Sequence, residues 1–276
     1  MPTIVKGDGS PEAYEPDKLR RSLEQAGTDK ALADDVAQRV SASVKDGMTT
    51  TGIYREAFKI LHSEERIAAA RYSMRRAILE LGPTGFPFER YIAALMHAKG
   101  YETTYDVIVK GRCVEHEVDV VMKKDGHAIG AELKFHNTPG YKTDVKIALY
   151  VRARFWDIQW GAEDRGEKSG IDEGWLITNT KFTSHAIEYA SCSGIRLLGW
   201  DFPDAAGISA LIRETGVYPV TVMTTLSSAE KTRLIADGVT LCHSIAERPE
   251  SLRTLGLSSK KQAAAIAESQ MLCNVG

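Results

Sequence analysis

The chain has 276 residues, of which 43% are hydrophobic and 26% are charged, and its formal net charge at pH 7 is −2. This length allows two or three domains, and the composition is that of a globular protein rather than a disordered or collagen-like one. The small net charge excludes a histone-like polycation, so any nucleic-acid surface must be a local basic patch.

The chain has features of an intracellular, non-membrane protein. Its four cysteines are widely spaced, which argues against a zinc knuckle and a disulfide framework. The first residues contain no apolar stretch preceded by cations, and the sequence has no run of 18 apolar residues. We therefore expect no signal peptide, no membrane span and a location in the reducing cytoplasm.

Residues 1–82 predict an N-terminal domain made of a short β-hairpin followed by helices. Thr3-Ile4-Val5 precedes a turn rich in glycine, and Pro16 is suited to the first turn of a helix. Thr28 is a candidate N-cap for the next helix, whose apolar residues recur at helical spacing.

The segment 82–87 contains two glycines and two prolines, a density that predicts a break in secondary structure and a domain boundary. Strand and helix patterns then alternate over 83–205, which predicts a central α/β domain with a mixed sheet. Residues 206–276 predict a small helical C-terminal domain interrupted by Gly238 and Gly256. The predicted fold class is multidomain α/β.

A tight hairpin is predicted around Asp125-Gly126, because Asp-Gly between two apolar runs favours a two-residue type I′ turn. Lys124 then faces His127, and the same register places Asp119 opposite Glu132. Glu117 falls opposite Lys134 in this register. The acids and Lys134 are thus expected on one face, and the other face is expected to be apolar: Val118, Val120, Met122, Ile129, Ala131 and Leu133.

Asp119 and Glu132 are expected about 5 Å apart, where two carboxylates repel by roughly 3 kcal/mol at an effective dielectric constant of 20. A shared proton, a nearby cation or a divalent metal ion could relieve this repulsion. Lys134 supplies a cation, so a salt-bridged surface without further function is one explanation of the pattern. A metal site is the other.

The pattern Asp119…Glu132-Leu133-Lys134 resembles the PD-(D/E)xK nuclease family, with Val118 in place of the motif's proline. Phe88-Glu89-Arg90-Tyr91 resembles the opening helix of its type IV restriction and junction-resolvase branch. The runs Trp175–Ala190 and Ile195–Asp201 resemble the later strands and helix of that branch. The resemblance covers about residues 88–203 and implies a restriction-endonuclease-like fold.

The resemblance implies a Mg²⁺- or Mn²⁺-dependent DNA endonuclease. Asp119 and Glu132 would be the metal ligands, with the Leu133 carbonyl a possible third. Lys134 would position or deprotonate the attacking water or stabilise phosphate charge. Glu89 would join the catalytic site from its helix. Glu117 either tunes Lys134 or the metal, or forms a plain salt bridge with Lys134.

A candidate DNA-binding surface follows the hairpin. It contains four cations, Lys142, Lys146, Arg152 and Arg154, and aromatic residues come directly after them. In the alternative interpretation, the aromatic side chains fill the core and the cations are simply solvated. Double-strand cleavage by one site per chain would require two chains, so we expect a homo-oligomer.

The N-terminal segment resembles the ATP-cone, a nucleotide-sensing module. The resemblance rests on Val5-Lys6-Gly7-Asp8-Gly9, on Lys18-Leu19 and on Ala70-Arg71-Tyr72-Ser73. It implies that ATP or dATP acts as a regulatory ligand. The residues it assigns to that ligand are Lys6, Asp8, Gly9, Lys18 and Arg71. Gly7 stands where the module usually has arginine, which removes a bidentate phosphate donor, so a purely structural role is the alternative.

Three functions therefore follow from the sequence. The first is a nucleotide-regulated DNA endonuclease, the second is a nucleotide-responsive DNA-binding regulator that no longer cuts, and the third is an RNA-cutting enzyme on the same fold. The C-terminal helices are similar in spacing to helix-hairpin-helix modules that bind DNA phosphates. A helical cap or an oligomerisation element is the alternative for those helices.

Overall fold

The computed structural model describes residues 1–138, 140–167 and 170–273. The N-terminal unit is a two-stranded hairpin followed by helices, in agreement with the sequence. Its elements are β1 (Thr3–Val5), β2 (Pro11–Ala13), α1 (Pro16–Gln25), α2 (Lys30–Ser43), α3 (Thr50–Glu64), α4 (Arg66–Tyr72) and α5 (Met74–Leu79). Asp29, rather than the predicted Thr28, caps α2, because its carboxylate accepts hydrogen bonds from the backbone N–H groups of Ala31 and Leu32.

A five-stranded mixed sheet forms the centre of the molecule, in the order β3-β4-β5-β7-β9. Its strands are β3 (Glu102–Lys110), β4 (Glu115–Lys124), β5 (His127–Lys134), β7 (Glu173–Thr178) and β9 (Arg196–Leu198). The first three strands are antiparallel, and β5, β7 and β9 run parallel. A small parallel pair, β6 (Lys142–Thr143) and β8 (Lys181–Phe182), lies outside this sheet.

Helices cover both faces of the sheet. One apolar core joins the sheet to α6 (Phe86–Ala98), and a second joins it to α7 (Val145–Asp164) and α8 (Ser184–Ser193). Both faces are therefore buried, whereas the sequence predicted an apolar face opposite a polar one. Neighbouring residues of β4 illustrate this, since Val120 packs in the first core and Val121 in the second.

The C-terminal segment packs on the same side of the sheet as α6. It comprises α9 (Ile208–Thr215), α10 (Ser228–Ala236), α11 (His243–Glu247) and α12 (Ser259–Cys273), with 3-10 turns at Val220–Val222 and Pro249–Leu255. Its buried residues belong to the same core as strands β4 and β5. Gly256 has a positive φ of 64° and ends the second 3-10 turn, in agreement with the predicted break there.

One predicted boundary differs from the structure. The break at 82–87 is shorter than predicted, because α6 begins at Phe86 and carries Pro87 in its first turn, where the missing N–H costs no hydrogen bond. Lys142 lies in β6, whereas the other three cations of the predicted DNA-binding surface lie in α7, which Asp144 caps and which begins at Val145. Within the described residues, no helix is both long and apolar enough to cross a membrane.

Candidate active site

The β4–β5 hairpin forms with the predicted turn and register. Asp125 and Gly126 both have positive φ, 52° and 77°, as a type I′ turn requires, and Lys124 pairs with His127. Regular pairing stops at Val120–Ala131. The ladder therefore ends one pair before the predicted Asp119–Glu132 opposition.

Asp119 lies where β4 separates from β5. Its Oδ2 atom accepts a hydrogen bond of 2.6 Å from the backbone N–H of Leu133, so its side chain replaces a ladder bond. Opposite it on β3, Asp106 has a positive φ of 56°. At this irregularity the strand changes face: Val118 packs with α7, whereas the sequence placed it on the same face as Val120.

Glu132 is the buried acid of the site. Its side chain is 4% exposed and forms an ion pair of 2.5 Å with Nζ of Lys134, two residues along the same strand. The Nη1 atom of Arg154 contacts the other carboxylate oxygen and also donates to the backbone carbonyl of Glu117. Lys134 thus pairs with Glu132 rather than with Glu117, which excludes the predicted Glu117–Lys134 bridge in this structure.

The prediction that Arg154 lies on a DNA-binding surface is wrong. Its side chain is only 12% exposed and turns inward to the acid. The cause lies in the next residue: Phe155 is buried against β5 and β7 at Gly130 and Gly174, where a Cβ atom would come within 2.6 Å and 2.4 Å of its ring. The absence of side chains there lets α7 approach the sheet closely enough for Arg154 to reach Glu132.

Glu89 faces the same acids from α6. Burial, followed by the charges of Asp119, Asp106, Glu117 and Glu132, raises the pKa of Glu89 to about 7. Burial, followed by the charge of Glu132, raises the pKa of Asp119 to about 6, although the Leu133 N–H acts in the opposite direction. The predicted catalytic acids are thus brought into electrostatic contact, and a dication at this position would relieve the repulsion between them.

The donor set suits a hard cation, although it is not a preformed cage. Carboxylate oxygens of Asp119 and Glu132 are ligands that Mg²⁺ and Mn²⁺ prefer. No group of three His, Cys, Asp or Glu side chains in the described part of the chain is arranged to hold a metal ion. Glu132 would have to exchange its contact with Arg154 for the metal, while water and substrate oxygens complete the coordination, as is usual for Mg²⁺.

The remaining predicted DNA-binding cations stay near the surface. Lys142 and Lys146 are exposed, and the guanidinium of Arg152 stacks over Trp156 at 4.6 Å. Trp156 and Trp160 are 38% and 45% exposed and stack on each other with ring centroids 5.8 Å apart. Both interpretations of the aromatic residues thus apply in part, since Phe155 is in the core while the two tryptophans face solvent.

The predicted nucleotide-binding residues fall into two places. Lys18 forms ion pairs of 2.8 Å and 2.9 Å with Glu12 and Glu15, and Lys6 lies 4.0 Å from the same Glu12. Asp8 accepts hydrogen bonds from Ser10, and Gly9 has a positive φ of 83° in the hairpin turn. Arg71 lies apart, in the wall of a cavity that none of these hairpin residues lines.

Two residues of the site were missed by the sequence analysis. Asp106 was not recognised as an acid of the cluster, and its signal was an aspartate between Tyr105 and the apolar run 107–109 of β3. Arg154 was noticed only as part of a cation run. Tyr150, four residues before it on α7, contacts the same guanidinium, but the sequence holds no signal that this pair turns towards Glu132.

Two family models match the chain. The first, a restriction endonuclease domain, matches residues 82–201. The second, the AF1548-like C-terminal domain, matches residues 218–273. The first match contains every acid of the site together with Lys134 and Arg154, and residues 1–81 lie outside both matches.

Similar proteins and structures cover about two thirds of the chain. A protein of Archaeoglobus fulgidus, named only as uncharacterized, is 41% identical over 180 residues, which is 65% of this chain and 98% of that protein. The crystal structure of a protein of unknown function, AF1548, is 37% identical with a TM-score of 0.56, over 68% of this chain and 98% of that one. The structure of MspJI restriction endonuclease in complex with a 27-mer oligonucleotide aligns at 12% identity with a TM-score of 0.37, over 62% of this chain and 36% of that one.

Proposed function

The chain belongs to the AF1548-like family and contains a restriction-endonuclease-like domain, and from this premise we propose that it is a metal-dependent endonuclease that hydrolyses DNA phosphodiester bonds. The observation that carries the proposal is the juxtaposition of Asp119, Glu132 and Lys134 where β4 and β5 separate. Glu89 faces this set from α6 with a raised pKa.

In this proposal each residue has a distinct task. Asp119 and Glu132 would hold the metal ion, which when bound neutralises phosphate charge and lowers the pKa of a water. Lys134 is 31% exposed beside Glu132, so its ammonium can orient the attacking water or contact a phosphate oxygen. Glu89, with a pKa near neutrality, can accept a proton from that water. Arg154 would hold Glu132 in place until the metal ion replaces that contact, which makes it a positioning residue.

Regulation by adenine nucleotide is a further part of the proposal. Lys6 and Lys18 of the N-terminal hairpin unit supply the cations, and ATP phosphates would compete with Glu12 for them. A Cβ at Gly7 would meet nothing within 4 Å, so the position where the ATP-cone usually has arginine is open. We expect the nucleotide to act by a different affinity for two states of the protein.

A cleavage assay tests the nuclease proposal. Glu132→Ala and Lys134→Ala should each lower plasmid cleavage in Mg²⁺ or Mn²⁺ by about a hundredfold or more. Glu115→Ala is the matched control, because Glu115 is an exposed acid of the neighbouring strand β4 and lies opposite Lys110 of β3. Unchanged cleavage by both site variants would contradict the assignment.

Binding measurements separate the alternatives. A DNA-binding regulator would shift DNA in EDTA but leave it uncut in Mg²⁺ and Mn²⁺, whereas an RNA-cutting enzyme would digest RNA in preference to duplex DNA. Digestion of single-stranded, duplex, branched and methylated DNA, with and without ATP, would define the substrate. Sedimentation of the same samples tests the expected homo-oligomer, since coordinated double-strand cuts need two sites.

A further inference from the structure

A cavity of about 160 Å³ lies between the N-terminal helices and the restriction-endonuclease-like domain. Arg71, Tyr72 and Arg75 line it from the α4–α5 segment, and Trp200 and Arg213 line it from the opposite side. None of these residues belongs to the candidate active site. The proposed nuclease reaction therefore does not account for the residues that line this cavity.

The arginines of this cavity lack anionic partners. Arg71 and Arg75 are half-buried, and within the described ranges neither side chain takes part in an ion pair or a hydrogen bond. Arg213 donates only to the backbone carbonyl of Gln25, at 3.2 Å. Asp201 is the acid of the cavity wall, and its carboxylate accepts from Ser209 at 3.1 Å rather than from an arginine.

Three guanidinium groups thus share one cavity with a single carboxylate. Burial removes part of the hydration of Arg71 and Arg75 without supplying an acceptor, which is unfavourable and favours an anion from solution. Arg213 is exposed and adds a third guanidinium to the same cavity. The planar guanidinium donates in pairs to phosphate oxygens, and its interaction is stronger beside low-dielectric walls. Trp200 and Tyr72 provide such walls, since Trp200 is buried and Tyr72 is half-buried.

The volume limits the size of the ligand. Clefts that enclose a whole drug-sized molecule are typically about 300–1,000 Å³, so 160 Å³ fits a compact anion or one end of a larger one. We propose that the cavity between Arg71, Arg75 and Arg213 binds a compact phosphate anion, supplied either free, as phosphate or pyrophosphate, or as the terminal phosphates of a nucleotide. This site is separate from Lys6 and Lys18, and it does not depend on the nuclease proposal.

Such a ligand would bridge two parts of the molecule. Arg71 and Arg75 precede the restriction-endonuclease-like domain, while Arg213 follows it. A phosphate held by all three arginines binds only when these parts are in contact, and it therefore stabilises that contact by linkage. Anion concentration would thereby control how firmly the N-terminal helices are attached.

Calorimetry and thermal unfolding of the full chain test the proposal. Phosphate, pyrophosphate and ATP are compared with sodium chloride at equal ionic strength. We expect pyrophosphate to bind and to raise the Tm, and Arg71→Gln and Arg75→Gln each to lower its affinity about tenfold or more. Arg66→Gln is the matched control, because Arg66 is an exposed arginine of the same helix α4 outside the cavity.

The stability and binding of these variants show whether the arginine cavity binds a phosphate anion. In chloride alone the Arg71 and Arg75 variants should be at least as stable as wild type, because they lose an unpartnered cation, and this also shows that they fold. Binding of ATP but not of free phosphates, with loss in Arg71→Gln, identifies a nucleotide as the source. Absence of binding by all three ligands, equal loss in Arg66→Gln, or loss only in Lys18→Gln would overturn the proposal.

Discussion

The guanidinium of Arg154 contacts the buried carboxylate of Glu132. The side chain that the sequence placed on a DNA-binding surface is therefore the counter-ion of the acid proposed to bind metal. Lys134 contacts the other oxygen of the same carboxylate. Two cations thus hold Glu132 where a dication would otherwise be needed, which makes metal binding an exchange of partners.

Arg154→Gln should make stability depend on metal. In EDTA the variant leaves Glu132 buried with one cation, and we expect the free energy of unfolding to fall by about 3 kcal/mol. Saturating Mn²⁺ should reduce the difference in the free energy of unfolding between the variant and wild type, because the metal ion restores positive charge beside the carboxylate. Chemical unfolding with and without Mn²⁺ measures this, with Arg152→Gln of the same helix as control. An equal difference in the free energy of unfolding with and without Mn²⁺ would contradict the proposed exchange of Arg154 for a metal ion at Glu132.

Metal affinity should increase with pH between about 5.5 and 7.5. Asp119 and Glu89 have pKa values raised to about 6 and 7, so at pH 5.5 both hold protons that a metal ion must displace. Above pH 7.5 both are ionised and the competition ends. Mn²⁺ titrations in two buffers of different ionisation enthalpy would detect the protons released near pH 6. In Asp119→Asn the dependence of metal affinity on pH should be shallower, because only the proton of Glu89 then remains to be displaced. The same slope as in wild type would refute the assignment.

Asp157→Asn should weaken the attachment of the β3–β4 loop to α7. Burial acts to raise the pKa of Asp157, but hydrogen bonds from His116, Cys113 and Val114 outweigh it and lower the pKa to about 2. A carboxylate with a lowered pKa stabilises the fold above its unfolded value of 3.8, and this contribution is lost as the pH falls towards 2.

We therefore expect the free energy of unfolding of Asp157→Asn to be about 1–3 kcal/mol lower than that of wild type at pH 7. This difference should become smaller below pH 4. Urea unfolding of wild type and Asp157→Asn from pH 7 to pH 3 measures the difference. Glu163→Gln is the control on the same helix, since Glu163 is exposed and does not contact the β3–β4 loop through an ion pair in the described structure. A difference that stays constant down to pH 3 would exclude the carboxylate as its cause.

Gly174→Ala should separate α7 from the sheet. The added methyl group would lie 2.4 Å from the buried ring of Phe155, and such overpacking costs about 1–3 kcal/mol. We also expect weaker cleavage, because Arg154 would retreat from Glu132. Gly166→Ala is unsuitable as a control because its φ is 65°, but Gly7→Ala, with open space around it, should leave the Tm unchanged. A wild-type Tm in Gly174→Ala would contradict this prediction, because it would show that α7 accommodates the methyl group without loss of stability.

Lys146→Gln should weaken DNA binding to all sequences alike. An exposed lysine that contacts phosphate releases about one counterion, so the slope of log K against log salt should fall by about one. Fluorescence anisotropy with labelled duplex in EDTA between 50 and 200 mM salt measures that slope. Lys260→Gln, an exposed lysine of α12, should bind as wild type does. An unchanged slope in Lys146→Gln would remove this residue from the interface.

The parts of the fold that depend on short-range signals could be predicted. The Asp125-Gly126 turn fixes the register, and that register brings the Asp119 and Glu132 region together. Alternation along one strand puts Lys134 beside Glu132. These relationships need only turn geometry and a period of two.

Relationships between distant elements could not be predicted. The change of face at Asp119 depends on Asp106 of another strand, and the inward turn of Arg154 depends on glycines in β5 and β7. Periodicity predicts that Phe155 is buried but not which strand it lies against. The arginine cavity is likewise assembled from residues more than a hundred positions apart in the sequence.

The boundary between two separate hydrophobic cores lies between Ala69 and Ala70. Ala69 is the last buried residue of a core formed within the N-terminal unit, and Ala70 is the first of the core that continues through the sheet to Leu272. Truncation before Ala70 would therefore remove the first core and leave the second core closed. The C-terminal helices have no such independence, because deleting them would expose the core on the α6 side of the central sheet.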